Sequence, residues 1–211
     1  MKSTTVFSSA VLLAACCAAG VTQAAAITQL SGPGDFVAGT IIVEDFESGT
    51  AGSPPADTAQ FTFEATAEVA SASTWTSNVT SSGTRGLREL IANEPMVILF
   101  TTPVLEVGAT FGNDDFNLSF DAMLKVYDAA NNSLGSVQVA ANSNDYADQF
   151  IGLRSDVPIS SAAFTYERPA AEQLSVFIDD LRVGLVPEPS AAALACIAAA
   201  GLCFPARRRA G

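Results

Sequence analysis

The chain has 211 residues, with 22 Asp and Glu against 10 Lys and Arg, a formal net charge of −12, and no histidine. That length allows one ordinary domain or two small ones. The missing imidazole excludes a Ser-His-Asp triad, a Cys-His dyad and a His-ligated zinc site. An acidic chain also matches a phosphate backbone poorly, so nucleic acid is not an expected partner.

The N-terminus begins Met1-Lys2, continues in an apolar run from Val6 to Val21 and ends in small residues up to Ala26. One positive charge, a short apolar stretch and small residues after it make a secretory signal peptide. Thr22 and Ala24 can serve as the −3 and −1 residues of a signal-peptidase site, and Ala24 and Ala26 serve equally well. Leu13-Ala14-Ala15-Cys16 has the form of a bacterial lipobox, in which Cys16 would become the lipidated new N-terminus. The expected division is therefore a signal helix over 1–26, a body over 27–186 and a separate tail over 187–211.

The body holds 21 acidic and 6 basic residues, near −15 over 160 positions. That charge favours solubility and supplies carboxylates for divalent cations. Its local pattern predicts strands almost throughout. Thr40 to Phe46 opens a β run, and Gln60 to Val69 alternates polar and apolar with period two. Met96 to Phe100 is a short continuous apolar run, followed by runs at Val104–Phe111 and Asn117–Asp128. Ala129 to Ser133 reads as a hairpin turn into Leu134–Ala140, because Asn tolerates positive φ. Runs at Gln149–Arg154, Ile159–Tyr166 and Leu174–Val183 follow. Segment 48–59, with two Gly and two Pro, is a loop, and segment 70–84 around Trp75 is a weaker strand or a long loop. Strands about ten residues apart, with turn residues between them, predict an all-β, single antiparallel β-sandwich of jelly-roll type.

The tail is Val186-Pro187-Glu188-Pro189-Ser190, then 14 residues without a polar side chain from Ala191 to Phe204, then Arg207, Arg208 and Arg209. As a helix that run spans about 21 Å, short of the ~30 Å of bilayer hydrocarbon, so it makes a marginal inner-membrane anchor. The Arg triplet places its end on the cytoplasmic side and the body outside. The four cysteines, Cys16, Cys17, Cys196 and Cys203, all lie in the two apolar ends, and a body of this size builds its core without disulfides.

Pro187-Glu188-Pro189, the apolar run and Arg207 to Arg209 together resemble the PEP-CTERM sorting signal of Gram-negative bacteria. The resemblance covers about 25 residues at the C-terminus. It implies export across the inner membrane, transient anchoring, and cleavage near Pro-Glu-Pro by an exosortase, a membrane transpeptidase. It also implies a setting of extracellular polysaccharide and biofilm, with signal peptidase and exosortase as processing partners.

The body carries no Gly-x-Ser-x-Gly elbow, phosphate loop or dinucleotide fingerprint, and no enzymatic activity is expected. Glu44-Asp45-Phe46-Glu47 in the first clear strand and Phe177-Ile178-Asp179-Asp180 in the last resemble carbohydrate-binding modules of the galactose-binding-like type. The resemblance implies that these strands lie side by side and that Glu47, Asp179 and Asp180 hold a structural Ca²⁺, an ion that takes six to eight oxygen ligands. Trp75 and Tyr146, each in a polar segment, are the candidate aromatic platforms for a sugar. The sequence thus predicts a non-enzymatic exported surface or matrix protein that binds polysaccharide. The alternatives are a structural or adhesive surface protein without sugar binding, and a polysaccharide-active enzyme.

Overall fold

The structure is a computed structural model and describes residues 24–71, 80–112, 119–142, 144, 146–167 and 174–186. Cys16, Trp75, the Pro187–Pro189 motif, Arg207–Arg209 and both expected terminal helices lie outside the described residues. Ten strands follow in chain order: β1 Ile27–Leu30, β2 Ile41–Glu44, β3 Phe61–Phe63, β4 Ala67–Ser71, β5 Arg85–Glu89, β6 Met96–Gly112, β7 Asp121–Tyr127, β8 Ser133–Ala140, β9 Gln149–Glu167 and β10 Phe177–Leu185. All pairings are antiparallel, in the order β4-β5-β10-β6-β9-β7-β8 with β1 on β9, β2 on β10 and β3 on β6. The all-β sandwich expected from the sequence is present.

Two strands are much longer than the sequence predicts. The runs at 96–100 and 104–111 are one strand of 17 residues, and those at 149–154 and 159–166 are one of 19. Each contains an exposed proline, Pro103 in β6 and Pro158 in β9. Proline has no N–H to give a ladder and is confined to edges and irregularities. Here the β6–β9 register breaks between Leu99 and Val104, whose partners are Ser161 and Ile159. The strands turn a corner at that break and continue into the opposite layer. One layer is β4, β5, β2, β10, the C-terminal half of β6, the N-terminal half of β9, and β1. The other is β3, the N-terminal half of β6, the C-terminal half of β9, β7 and β8. Buried Gln60 holds the corner by donating from Nε2 to the Thr102 carbonyl at 2.7 Å.

The single alternating run expected over 60–69 is split for the same reason. Phe61–Phe63 pairs with β6 and Ala67–Ser71 with β5, so the chain changes layer through a turn at 64–66, closed by Ala67 N donating to Glu64 O. The sequence reading missed β1 and β5. Ile-Thr-Gln-Leu abuts the expected signal peptide, and Arg-Gly-Leu-Arg-Glu has a single large apolar residue. The β7–β8 hairpin is where it was expected, with Asn131 at φ 61°. The predicted pairing of first clear strand with last is also present, as Leu181–Gly184 against Glu44–Ile41.

Alternate residues of both layers meet in one core, including Ile98, Val107, Phe111, Leu124, Ile151, Leu153, Phe164, Ile178 and Val183. Burying each such side chain contributes roughly 1.5–3 kcal/mol. Far from the corner the layers are tied by Tyr166 of β9. Its fully buried hydroxyl lies 2.6 Å from Gly112 O and 2.7 Å from Phe177 O, across the β6–β10 pair. Phe120 and Phe111 pack on its ring. Burial pushes its proton affinity well above the ordinary phenol value. Tyr166→Phe leaves two buried carbonyls facing a hydrocarbon edge and should cost about 1–3 kcal/mol in urea unfolding, whereas an unchanged midpoint would show the bridge to be dispensable.

Candidate functional site

The outer face of the second layer is built from β6, β9 and β7 in register. Val97 faces Ala163, which faces Lys125, and Leu99 faces Ser161, which faces Tyr127. Strand alternation sends Met123, Lys125 and Tyr127 outward while Ala122, Leu124 and Val126 enter the core. The middle strand presents small residues (Ser161, Ala163, Thr165) between taller walls on β6 and β7. A trough of about 570 Å³ results, running along β9. From Ser161 to Thr165 its floor is about 13 Å long. Glu64, Pro95 and Glu167 also line it, and so does Asn131 from the hairpin turn.

The polar groups of this trough are uncommitted. Among the described residues, the side chains of Ser161, Thr165, Lys125, Tyr127, Glu64 and Glu167 make no hydrogen bond or ion pair with the rest of the chain. The ammonium of Lys125 lies 5.6 Å from the centroid of the Tyr127 ring, within cation–π range. Hydroxyl, ammonium and carboxylate groups beside an aromatic ring and the apolar flanks of Met123 and Leu99 can hold a polyhydroxylated chain that has both polar edges and C–H faces. The sequence reading missed Lys125 and Tyr127. The outward set of β7 was the available signal, since a Met-Lys-Tyr row on a solvent face is more apolar than solvation requires.

The residues singled out from the sequence lie elsewhere. Asp179 and Asp180 form a β-bulge in β10, where the register with β6 slips between Asp179 and Arg182. Asp180 takes a left-handed backbone at φ 48°, uncommon for a residue other than glycine. Asp179 is wholly buried beneath the turn at 80–84. Its Oδ2 accepts from Ser82 N at 2.9 Å and lies 2.8 Å from Ser81 Oγ, while its Oδ1 accepts from Asp180 N at 2.7 Å. Ser82 Oγ donates to Asp180 Oδ1 at 3.1 Å. Burial raises the Asp179 carboxyl to about 6, against hydrogen bonds that pull it down.

Protons are scarce in this cluster. Ser81 Oγ lies 2.5 Å from Thr110 Oγ1, 2.8 Å from Asp179 Oδ2 and 2.9 Å from Asp180 Oδ2, and Thr110 Oγ1 lies 2.8 Å from Asp179 O. Two hydroxyl protons serve these four oxygen–oxygen contacts. Glu47 is held differently. Its Oε1 accepts from Thr84 N at 2.7 Å and Arg85 N at 2.6 Å, and Arg85 returns a hydrogen bond to Glu47 O. Gly83 lies against the Glu47 carboxylate at φ 51°, a left-handed backbone that favours glycine. Glu47 and the aspartate pair thus anchor the same turn at different points. Among the described residues no three or more of His, Cys, Asp and Glu are grouped so as to hold a metal ion.

Tyr146 is about half exposed, and its N–H donates to Asn144 Oδ1 at 3.0 Å. Its backbone abuts Gly112, so it sits on the layer and at the end that carry Asp179, away from the trough. Ala24 and Ala26 are exposed just before β1. Ala26 N donates to Asp156 Oδ1 at 2.7 Å, and Asp156 N donates to Ala26 O.

No family model matches the chain, and no curated protein matches it. Among solved structures it is similar to the K2 cleaved adhesin domain of Lys-gingipain, at 13% identity over 68% of this chain and 99% of that one, with a TM-score of 0.46. It is also similar to the CBM22-1 xylan-binding domain of Paenibacillus barcinonensis Xyn10C, at 16% identity over 71% and 98% of the two chains, TM-score 0.39. A DUF4465 family protein of Bacteroides caccae is similar at 12% identity over 78% and 88%, TM-score 0.41. At this distance no residue role passes from any of them to this chain.

The buried carboxyl makes a prediction with a definite sign. The folded value of about 6 lies above the ordinary 3.8, so the folded state holds this proton more tightly. The stability it contributes is full below about pH 4 and is lost as pH rises to about 6, on the order of 3 kcal/mol. Asp179→Asn removes that contribution. In EDTA, the difference in unfolding free energy between wild type and Asp179→Asn should shift against the wild type from pH 4 to pH 6.5; a flat difference would show that Asp179 ionises normally.

Proposed function

We propose that the chain is an exported, non-enzymatic surface or matrix protein of PEP-CTERM type whose sandwich binds polysaccharide in the β6–β9–β7 trough. The observation that carries the binding part is the row of uncommitted polar groups beside the Tyr127 ring. Elsewhere the described charged side chains are extensively paired, as Arg154 is with Glu106 and Arg88 with Glu68. The trough therefore offers hydrogen-bonding capacity that the fold does not use. Ligand preference is read on a glycan array with the full-length chain. Tyr127→Ala should weaken binding about tenfold, from the loss of ~1.5 kcal/mol of ring contact, and Ala163→Phe should abolish it by filling the floor. Tyr127→Ala faces outward and should leave the melting temperature near that of wild type, whereas Ala163 is 6% exposed, so circular dichroism and a melt establish that Ala163→Phe is folded before its binding is read. Array binding unaffected by either would remove the trough from the account. Absence of binding to any glycan would favour a purely structural or adhesive role, and shortening of polymer chains during incubation would favour an enzyme.

The sorting part rests on the tail sequence, Pro187-Glu188-Pro189 with Arg207 to Arg209, and on the signal-peptide pattern ending at Ala24 or Ala26. Strand β10 ends at Leu185, with Val186 between it and the motif. A cut there spares every strand of the sandwich. Intact mass of the mature protein should show loss of both ends. A mature species that keeps Arg207–Arg209 in a strain with active exosortase would contradict the sorting reading, and a diacylglycerol on Cys16 would replace the signal-peptidase cut.

A structural Ca²⁺ at Asp179 and Asp180 is the remaining element of the proposal. The shortage of protons around Ser81 supports it, since a cation would satisfy oxygens that two hydroxyls cannot. Glu47, occupied by the amides of Thr84 and Arg85, would join only by giving up those bonds. In melts at pH 7.5, millimolar Ca²⁺ but not Mg²⁺ should raise the midpoint by roughly 5–10 °C, and Asp180→Asn should erase the difference. Equal melting with and without Ca²⁺ would leave the pair as a proton-sharing anchor.

A further inference from the structure

The body is strongly acidic, and the cations among its described residues are nearly all spent internally. Arg88 pairs with Glu68, and Arg154 Nε with Glu106 at 2.6 Å. Arg182 lies 3.9 Å from Asp180, and Arg85 donates to the carbonyls of Glu47 and Gly49. Among the described residues Lys125 is the one basic side chain with neither a carboxylate nor a carbonyl partner. It is only partly exposed, and it stands on the wall of the trough beside Tyr127.

The trough is electrically lopsided. Val97, Ala163 and Lys125 form one row across β6, β9 and β7, and Glu64 follows the β3 residue that pairs with Ile98. Glu64 and Lys125 are therefore about three strand spacings apart, ~14 Å of backbone. Glu167 sits four residues along β9 from Ala163, about 13 Å further down the trough. Around Lys125 the immediate surface is Tyr127, Ala163 and the β8 residue Ser136, none of them charged. An anionic group there meets an unshared ammonium, an aromatic face and hydroxyls, while the backbones of the trough's two acids stand about 13–14 Å away.

We propose that Lys125 makes the trough selective for saccharides that carry a carboxylate, the uronic-acid polymers. The inference rests on the saccharide reading of the trough and adds the charge of its ligand. A ring seated on Tyr127 brings a carboxylate within reach of the Lys125 ammonium, and a charge-assisted hydrogen bond is roughly twice as strong as a neutral one.

The test is affinity electrophoresis of the full-length chain, kept soluble in a non-ionic, non-glycosidic detergent, through gels containing polygalacturonate or alginate. Carboxyl-reduced forms of the same polymers and poly-glutamate serve as comparisons. The acidic polymers should retard the chain at about tenfold lower concentration than their reduced forms, and poly-glutamate should not retard it. Lys125→Gln should erase the preference and keep residual binding, Lys125→Arg should retain it, and Tyr127→Ala should weaken binding to both forms. Equal retardation by acidic and reduced polymers, or an acidic preference that survives Lys125→Gln, overturns the selectivity and leaves the trough standing. Retardation by poly-glutamate as strong as by polyuronate overturns it in favour of charge alone. A chain retarded by no polymer and bound to no glycan on the array overturns both readings.

Discussion

The structure depends on two strands that belong to both layers. Through β6 and β9 the sandwich is one sheet folded over on itself, and the fold line falls where Pro103 and Pro158 interrupt the ladder. Without the breaks, strands of 17 and 19 residues would extend as a flat ribbon with no second face to bury. With them, Ile98 and Val107 of one strand, and Leu153 and Phe164 of another, enter the same core from opposite sides. Tyr166 closes the far end by lending its hydroxyl to the other layer.

The fold line also determines how the two outer faces differ. On the first layer that face is covered by connections. The segment at 36–38 lies over Glu106, whose buried carboxylate accepts from Val37 N and Ala38 N at 3.0 Å each and pairs with Arg154. Those hydrogen bonds and the Arg154 charge outweigh burial and hold Glu106 below the ordinary carboxylate range. The turn at 80–84 lies over Asp179 in the same manner, but with no cation on its inner oxygens, and that carboxyl is pushed up. On the second layer the described connections leave the surface open, and the small residues of β9 make it concave.

The general architecture was legible in the sequence because each half-strand alternates correctly on its own. The continuity of β6 and β9 was not, since a proline between two runs reads locally as a terminator and only the partner register shows the chain carrying on. That the first clear strand lies beside the last was legible from the motifs, though not the register that sets Glu44 against Leu181. The trough was not. Ser161, Ala163 and Thr165 are unremarkable in sequence, and their meaning comes from lying between Leu99 and Tyr127 on neighbouring strands. Acidic motifs drew attention to Glu47, Asp179 and Asp180, which the structure engages first as anchors for a turn.

The most direct measurement is a crystal structure of the chain soaked with an oligosaccharide taken from its best-bound polymer. The account predicts density in the trough, with one sugar ring against Tyr127 and its polar edge toward Lys125, Ser161 or Thr165. An oligosaccharide seated instead at the opposite face, beside Tyr146 and the 80–84 turn, with the trough open, would contradict the account and return the binding site to the residues first suggested by the sequence.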